Sequence, residues 1–245
     1  MNKTRLSRVI ANMEAQSLEQ IVVTSTSSVY YLTGIHVEPM ERMLALYIHT
    51  SGRCVLYANE LFAIPPQEDL ELLLHTDSDD PAALLAAGVA SGRLGIDKSW
   101  PSKFLIRVLE ARPDVAPVLG SAPVDEARMI KDEAEIAAMR RASRINDQVV
   151  GQAIAALHAG ASETEIADLV ERLFQEKGAN RSSEGQLVCF GPNGADPHHG
   201  PDGTRLREGD SVVLDIFIPI GRYWCDMTRT VFFRSASEEG RRVYE

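Results

Sequence analysis

The stretch that most constrains this chain is Val212 to Phe233, VVLDIFIPIGRYWCDMTRTVFF. It consists of two runs rich in β-branched and aromatic residues around Pro219-Ile220-Gly221-Arg222. Such a pattern predicts an antiparallel hairpin. Each arm carries one acid, Asp215 and Asp226. With the turn centred between Ile220 and Gly221, the two aspartates fall directly opposite each other on one face, their Cβ atoms roughly 4.5–5.5 Å apart. Val213 and Thr228 then flank them on one side, Phe217 and Trp224 on the other. Like charges so placed destabilise a sheet, and loss of water makes the repulsion worse. Either one carboxyl keeps its proton, or a divalent cation, even a bridged pair of cations, sits between the two. On spacing alone, an exposed edge hairpin or pairing with Arg222 or Arg229 explains the acids equally well. A slip of one residue would also send them to opposite faces.

The loop before this hairpin, GPNGADPHHGPDG, adds His198 and His199. Adjacent histidines in a polar loop are most often simply exposed. Imidazole is nevertheless a common metal ligand and a hydrogen-bond donor to substrates.

Upstream, Leu6, Val9, Ile10 and Met13 recur at helical spacing. QIVVTS reads as a short buried strand, and MLALYIHTSGRCVLYAN as a hairpin about Thr50-Ser51-Gly52. SDDPAALLAAGVASG reads as a helix with an acidic cap, Pro81 at its first position and Gly92 after its end. LGID is a further strand, and SKFLIRVLEARP a helix stopped by Pro113. This alternation predicts an α/β domain over residues 1–125. GSAPVDEARMIKDEAEIAAM, bracketed by Pro117 and Pro123, reads as a junction. A long helix follows, with a buried stripe of Ile136, Met139, Ala142, Ile145, Val149, Ala153 and Leu157, ended by Gly160. The next helix opens on a capping box of Ser162 and Glu165. It buries Ile166, Leu169, Val170, Leu173 and Phe174 and stops at Gly178. GQLVCF is then a strand. The closing ASEEGRRVYE reads as the start of another helix with nothing to pack against, so the sequence reads as cut rather than finished.

Charge narrows the possible partners. Lys and Arg number 10 against 15 Asp and Glu in residues 1–125, and 15 against 20 in residues 126–245. Neither half is basic, which removes electrostatic support for nucleic-acid binding. No apolar run approaches the roughly 20 residues of a membrane helix, and the N-terminus lacks a signal-peptide core. Cys54, Cys189 and Cys225 are far apart and suit free thiols in a reducing compartment. A cytoplasmic location without membrane partners is the expectation.

The segment GPNGADPHHGPDGTRLREGDSVVLDIFIPIGRYWCDMTRTVFF resembles the creatinase/aminopeptidase P/prolidase family of "pita-bread" metallopeptidases. The resemblance rests on the GPNGADPHH loop, on Leu206, Gly209 and Asp210, and on the apolar run into Asp215. It rests most on Asp226 with its trailing Thr228-Arg229-Thr230. MIKDEAEIAAMRRA is similar to the entry into the family's catalytic domain. SVYYLTG and ERMLAL are weaker matches to its N-terminal domain. The implied architecture is an α/β creatinase-like N-terminal domain, residues 1–125, followed by the first half of an α+β pita-bread catalytic domain, residues 126–245.

The resemblance also implies roles. Asp215 corresponds to an acid that binds one metal of a dinuclear site, and Asp226 to the acid that bridges both metals. His198 corresponds to the histidine that contacts substrate at the scissile bond and stabilises the intermediate. His199 has no implied role. The implied cofactors are two divalent ions, manganese, cobalt or zinc, and the implied activity is cleavage next to proline by an Xaa-Pro aminopeptidase or prolidase. A small peptide or small-molecule amide is the implied substrate, and a homodimer the implied assembly. The family's other ligands, one histidine and two glutamates, lie downstream of the strand that ends in TRT. The chain is therefore expected to hold part of the site. His36, His49, His75 and His158 do not match the remaining motif. Phe217 and Pro219 stand where the peptidases often carry small residues. A creatinase-like or other non-peptide C–N hydrolase or lyase, or an inactive half-fold, stays open as an alternative.

Overall fold

A computed structural model describes residues 1–179 and 185–244. The chain divides into two compact units, Met1–Ile130 and Lys131–Glu245. Among the described residues no helix is long and apolar enough to cross a membrane.

In the first unit, α1 (Lys3–Ala15) is capped by Asn2, whose side chain accepts from the Arg5 N–H, and it buries Val9 and Met13. Strand β1 (Gln20–Val23) is buried throughout. Helix α2 (Thr26–Thr33) follows, and then the expected hairpin of β2 (Ala45–His49) and β3 (Cys54–Asn59), in which Ile48 pairs with Cys54. The rest of the unit is β4 (Glu71–His75), α3 (Pro81–Gly88), β5 (Gly92–Ile96), α4 (Ser102–Ala111), β6 (Val115–Leu119) and α5 (Ala122–Met129). The six strands form one sheet in the order β4-β3-β2-β1-β5-β6. The pairs β1–β2 and β2–β3 are antiparallel, and the others parallel. Alternation along the strands feeds two cores. Ile21, Val23, Leu46, Ile48 and Leu56 pack with residues of α1, α2 and α5 on one side. Val22, Tyr47, Val55 and Tyr57 pack with residues of α3 and α4 on the other.

Several elements depart from the sequence expectation. α3 ends at Gly88, and Gly92 opens β5 instead of closing the helix. TSSVYYLT, rich in β-formers and given no element by periodicity, is held as helix α2 by burial of Val29, Tyr31 and Leu32. The stretch that reads as a junction contains α5, which packs against α1 in the first unit. Pro117 is accommodated because β6 lies at the sheet edge, where a missing N–H breaks no ladder.

In the second unit, α6 (Glu133–Ala155) starts on a capping box. Asp132 accepts from the Glu135 N–H, while the Glu135 side chain accepts from the Asp132 N–H. α7 (Glu163–Glu176) is capped by Ser162. Glu165 turns its carboxylate to His158 at 3.0 Å, so Ser162 caps without the reciprocal half of the expected box. The sheet β7-β8-β9 is built from β7 (Leu187–Phe190), β8 (Ser211–Ile220) and β9 (Tyr223–Phe232), and α8 (Glu238–Tyr244) follows. Val212, Leu214, Ile216, Ile218 and Ile220 alternate onto one face and are buried with Ala142, Val149, Ala153, Ile166, Val170 and Phe174 of α6 and α7. The α6 stripe is shorter than its periodicity suggests, because Ile136 and Met139 are each 38% exposed.

Two buried amides fasten this sheet. Asn146 of α6 donates to the carbonyls of Ile216 at 3.0 Å and Cys225 at 3.3 Å, the residues just before Phe217 and Asp226. Gln186 accepts from the Phe217 N–H and donates to the Phe217 carbonyl, extending the ladder past the start of β7. Asn146→Ala leaves two buried carbonyls without this donor. It is expected to destabilise the second unit by about 1–3 kcal/mol, measured as a lower urea midpoint followed by Trp224 fluorescence.

Candidate functional site

The β8–β9 turn consists of Gly221 and Arg222, both at left-handed φ, 58° and 73°. Ile220 and Tyr223 form the pair that closes it. A two-residue turn with both φ values positive has the twist of the flanking strands. Bending at Ile220-Gly221 would have forced a β-branched residue into that region. This corrects the expected register. Asp215 lies opposite Thr228, and Asp226 opposite Phe217. The difference is one full pair step, so both acids still share a face, as diagonal rather than direct neighbours. Val213 lies opposite Thr230, and Pro219 opposite Trp224.

The acids nevertheless interact. Thr228 Oγ1 donates to Asp215 Oδ1 at 2.6 Å. Loss of surrounding water, then the charge of Asp215 and a hydrogen bond with its carboxylate, push the Asp226 carboxyl above its usual range. Arg229 projects to the other face and pairs with Asp147 at 3.8 Å, so it does not neutralise either acid. Phe217 and Trp224 share the acid-bearing face with ring centroids 6.2 Å apart, and Trp224 is 53% exposed.

The histidine loop packs on this same face. A Cβ on Gly194 would lie 3.1 Å from Val213, whose side chain shares a face with that of Asp215. Cys189, paired with Val213, donates its thiol to the His199 carbonyl at 3.8 Å. Burial, first, and then the charges of Glu163, Asp196 and Asp215 push that thiol up to about 11, so Cys189 is an inert packing group. Cys54 and Cys225 are also free. His198 has an exposed side chain, and its N–H donates to Asp196 Oδ1 at 2.9 Å. Among the described residues no hydrogen bond joins His198 to either aspartate.

His199 is the better anchored histidine. Its Nε2 lies 3.0 Å from Glu163 Oε2, and Glu163 is fully buried at the first position of α7. Glu163 was not singled out from the sequence. An acid in a first helical turn signals a favourable dipole but does not reveal burial. Glu163, His199 and Asp202 offer ligand atoms within 4.8 Å of one another, close enough to hold an ion. Glu163 already accepts from two backbone N–H groups, those of Phe190 and Asp202, whose positive ends face the same oxygens. A cation there would meet donors rather than free lone pairs. Asp215 and Asp226 suit a divalent ion better. They are adjacent hard oxygen donors whose repulsion a cation would relieve.

Comparison with known proteins agrees with the fold. Residues 5–130 match the Creatinase/Prolidase N-terminal domain, and residues 137–245 match Metallopeptidase family M24. The chain belongs to the creatinase/prolidase family of M24 metallopeptidases. A solved prolidase of Thermococcus sibiricus superposes with a TM-score of 0.88 at 30% identity, covering 100% of this chain and 69% of that one. A dipeptidase of Mycobacterium ulcerans gives 0.86 at 28% identity, covering 98% and 67%. An uncharacterized peptidase of Staphylococcus aureus (strain USA300) is 29% identical over 98% of this chain and 69% of its own length. Asp215, Asp226 and His198 all lie within the segment matched to the M24 metallopeptidases.

Asp226 yields a test of the acid pair. A carboxyl raised in the fold favours its protonated form. Its contribution to stability is full below the unfolded value near 3.8 and is lost as pH rises through the raised folded value. In the presence of chelator, wild-type Tm is expected to fall relative to Asp226→Asn as pH rises above about 4. Divalent ions at neutral pH should restore the wild type but not the variant. Parallel Tm profiles for the two proteins would show that the acids do not interact.

Proposed function

We propose that the protein is a prolidase- or Xaa-Pro aminopeptidase-like hydrolase of small peptides, acting through a dinuclear divalent metal site. Manganese, cobalt and zinc are the ions that the family resemblance implies. The observation that carries this reading is the pair of carboxylates sharing one sheet face, in a chain of this family, with a histidine-bearing loop packed on the same face. Ions bound there would supply Lewis acidity and lower the pKa of bound water, providing a nucleophile at neutral pH.

The chain's own residues have separable tasks. Asp226 is proposed to bridge the two ions, and Asp215 to bind one of them. Thr228 fixes the Asp215 carboxylate by donating to Oδ1, as an outer partner orients a ligand. A catalytic metal normally needs three or more protein ligands, so the two aspartates are part of the set. The family resemblance assigns the rest to one histidine and two glutamates beyond the hairpin. His198, exposed on the loop, is proposed to donate a hydrogen bond to the oxygen that gains charge as the substrate amide is attacked. A cytoplasmic homodimer is the proposed setting.

A second reading is favoured by one observation. Phe217 and Trp224 put aromatic bulk directly beside Asp226. That bulk suits a substrate other than an ordinary Xaa-Pro dipeptide, such as the small C–N substrates of creatinase-like enzymes.

The test uses the protein as its gene encodes it. Asp226→Ala is expected to reduce bound metal and to lower Xaa-Pro cleavage by more than the roughly 10–100-fold that losing an outer partner causes. Unchanged metal content and activity would refute the site. Cleavage of creatine or another non-peptide C–N substrate, with Xaa-Pro dipeptides left intact, would favour the second reading.

A further inference from the structure

We propose that Glu163 is a positioning residue. It holds the loop from Gly191 to Asp202 through His199, and so sets where His198 stands over the acid-bearing face. The inference rests on the proposed role of His198.

The geometry is a knot tied on one carboxylate. Glu163 has no exposed surface. An ionised carboxylate in such a place is tolerated only when its oxygens are satisfied. Oε1 accepts from the Phe190 N–H at 2.6 Å and from Asn193 Nδ2 at 3.0 Å. Oε2 accepts from the Asp202 N–H at 3.1 Å and faces His199 Nε2 at 3.0 Å. These four donors come from the residue before the loop, from two residues within it and from its far end. A single side chain therefore closes the loop on itself. The start of α7 supports it further, since the Thr164 N–H and Oγ1 both donate to the Asp202 carbonyl. The helix N-terminus adds a favourable field for the carboxylate.

His198 is the residue whose freedom this removes. Its own N–H is held by Asp196, and the next residue is pinned twice, by its ring to Glu163 and by its carbonyl to the Cys189 thiol. The backbone on the C-terminal side of His198 is thus tied to β7, in the sheet that carries Asp215 and Asp226, and to α7. The imidazole itself is left exposed and able to meet a ligand. Nothing else tethers its side chain among the described hydrogen bonds. Precision at His198 then depends on Glu163.

The test uses the metal-loaded protein as its gene encodes it, with an Xaa-Pro dipeptide as substrate. Glu163→Gln keeps the shape but turns an acceptor oxygen into a donor facing other donors. It is expected to lower kcat about 10–100-fold with little change in KM and with metal content unchanged. His199→Phe should act in the same direction. His199→Gln, which can still donate to Glu163, should retain activity within a few-fold, and this pair of variants serves if Glu163→Gln does not fold. A double-mutant cycle decides whether the effect runs through His198. In a His198→Ala background, Glu163→Gln should have little further effect on kcat. An undiminished further loss there, or loss of metal in proportion to activity, would overturn the positioning role while leaving the metallopeptidase reading intact. Full activity of His198→Ala itself would overturn both the role of His198 and this inference, and normal metal dependence would show that the aspartate site stands.

Discussion

A two-residue turn decides which side chains of the β8–β9 hairpin share a face. Gly221 and Arg222 take up the positive φ values that a tight hairpin needs, and that choice fixes the pairing of β8 with β9. Register in turn decides which side chains share a face. The isoleucines and leucine of β8 go inward against α6 and α7, while Asp215, Phe217, Asp226 and Thr228 go to the other side. Had the turn involved an odd number of residues, one acid would have been driven into the apolar core. The buried face supplies the free energy that keeps the acids adjacent despite their repulsion. Asn146 and Gln186 hold the strands at the very level where that repulsion acts.

Much of this was legible in the sequence where periodicity and turn chemistry agree. The hairpin arms and the helices α1, α4, α6 and α7 follow from alternation and capping signals, while the sharing of a face by Asp215 and Asp226 also needs the register that the pairing shows. The exact cross-strand partners do not follow, because Pro219 to Arg222 offers two plausible centres. Only the steric cost of positive φ at Ile220 separates them. Helix α2 and strand β6 were obscured by local composition that tertiary packing overrides. Leucine-rich ELLLH, strand β4, gives no clear period either.

Glu163 was invisible for a different reason. Its local signal, an acid after a serine cap, is that of an ordinary exposed helix start. Its burial arises from partners spread between Phe190 and Asp202, which no local pattern displays. His199 likewise has no local signal, since its contact with that carboxylate spans 36 residues of sequence. The two adjacent histidines face different ways, one ring inward against Glu163 and the other outward toward solvent.

The pairing of Phe217 with Asp226 has a consequence for how this site can change. The aromatic ring stands across the strand from the carboxyl whose proton affinity is raised by loss of water. On the proposed function, bulk at that position would shape the space a substrate meets, and it would also thin the hydration of the proposed metal ligand Asp226. Selectivity and ion affinity would then not be independent variables here. A smaller residue at 217 would open room and at the same time let water compete for Asp226. On that reading, a substitution at 217 that alters substrate choice alters the carboxylate as well.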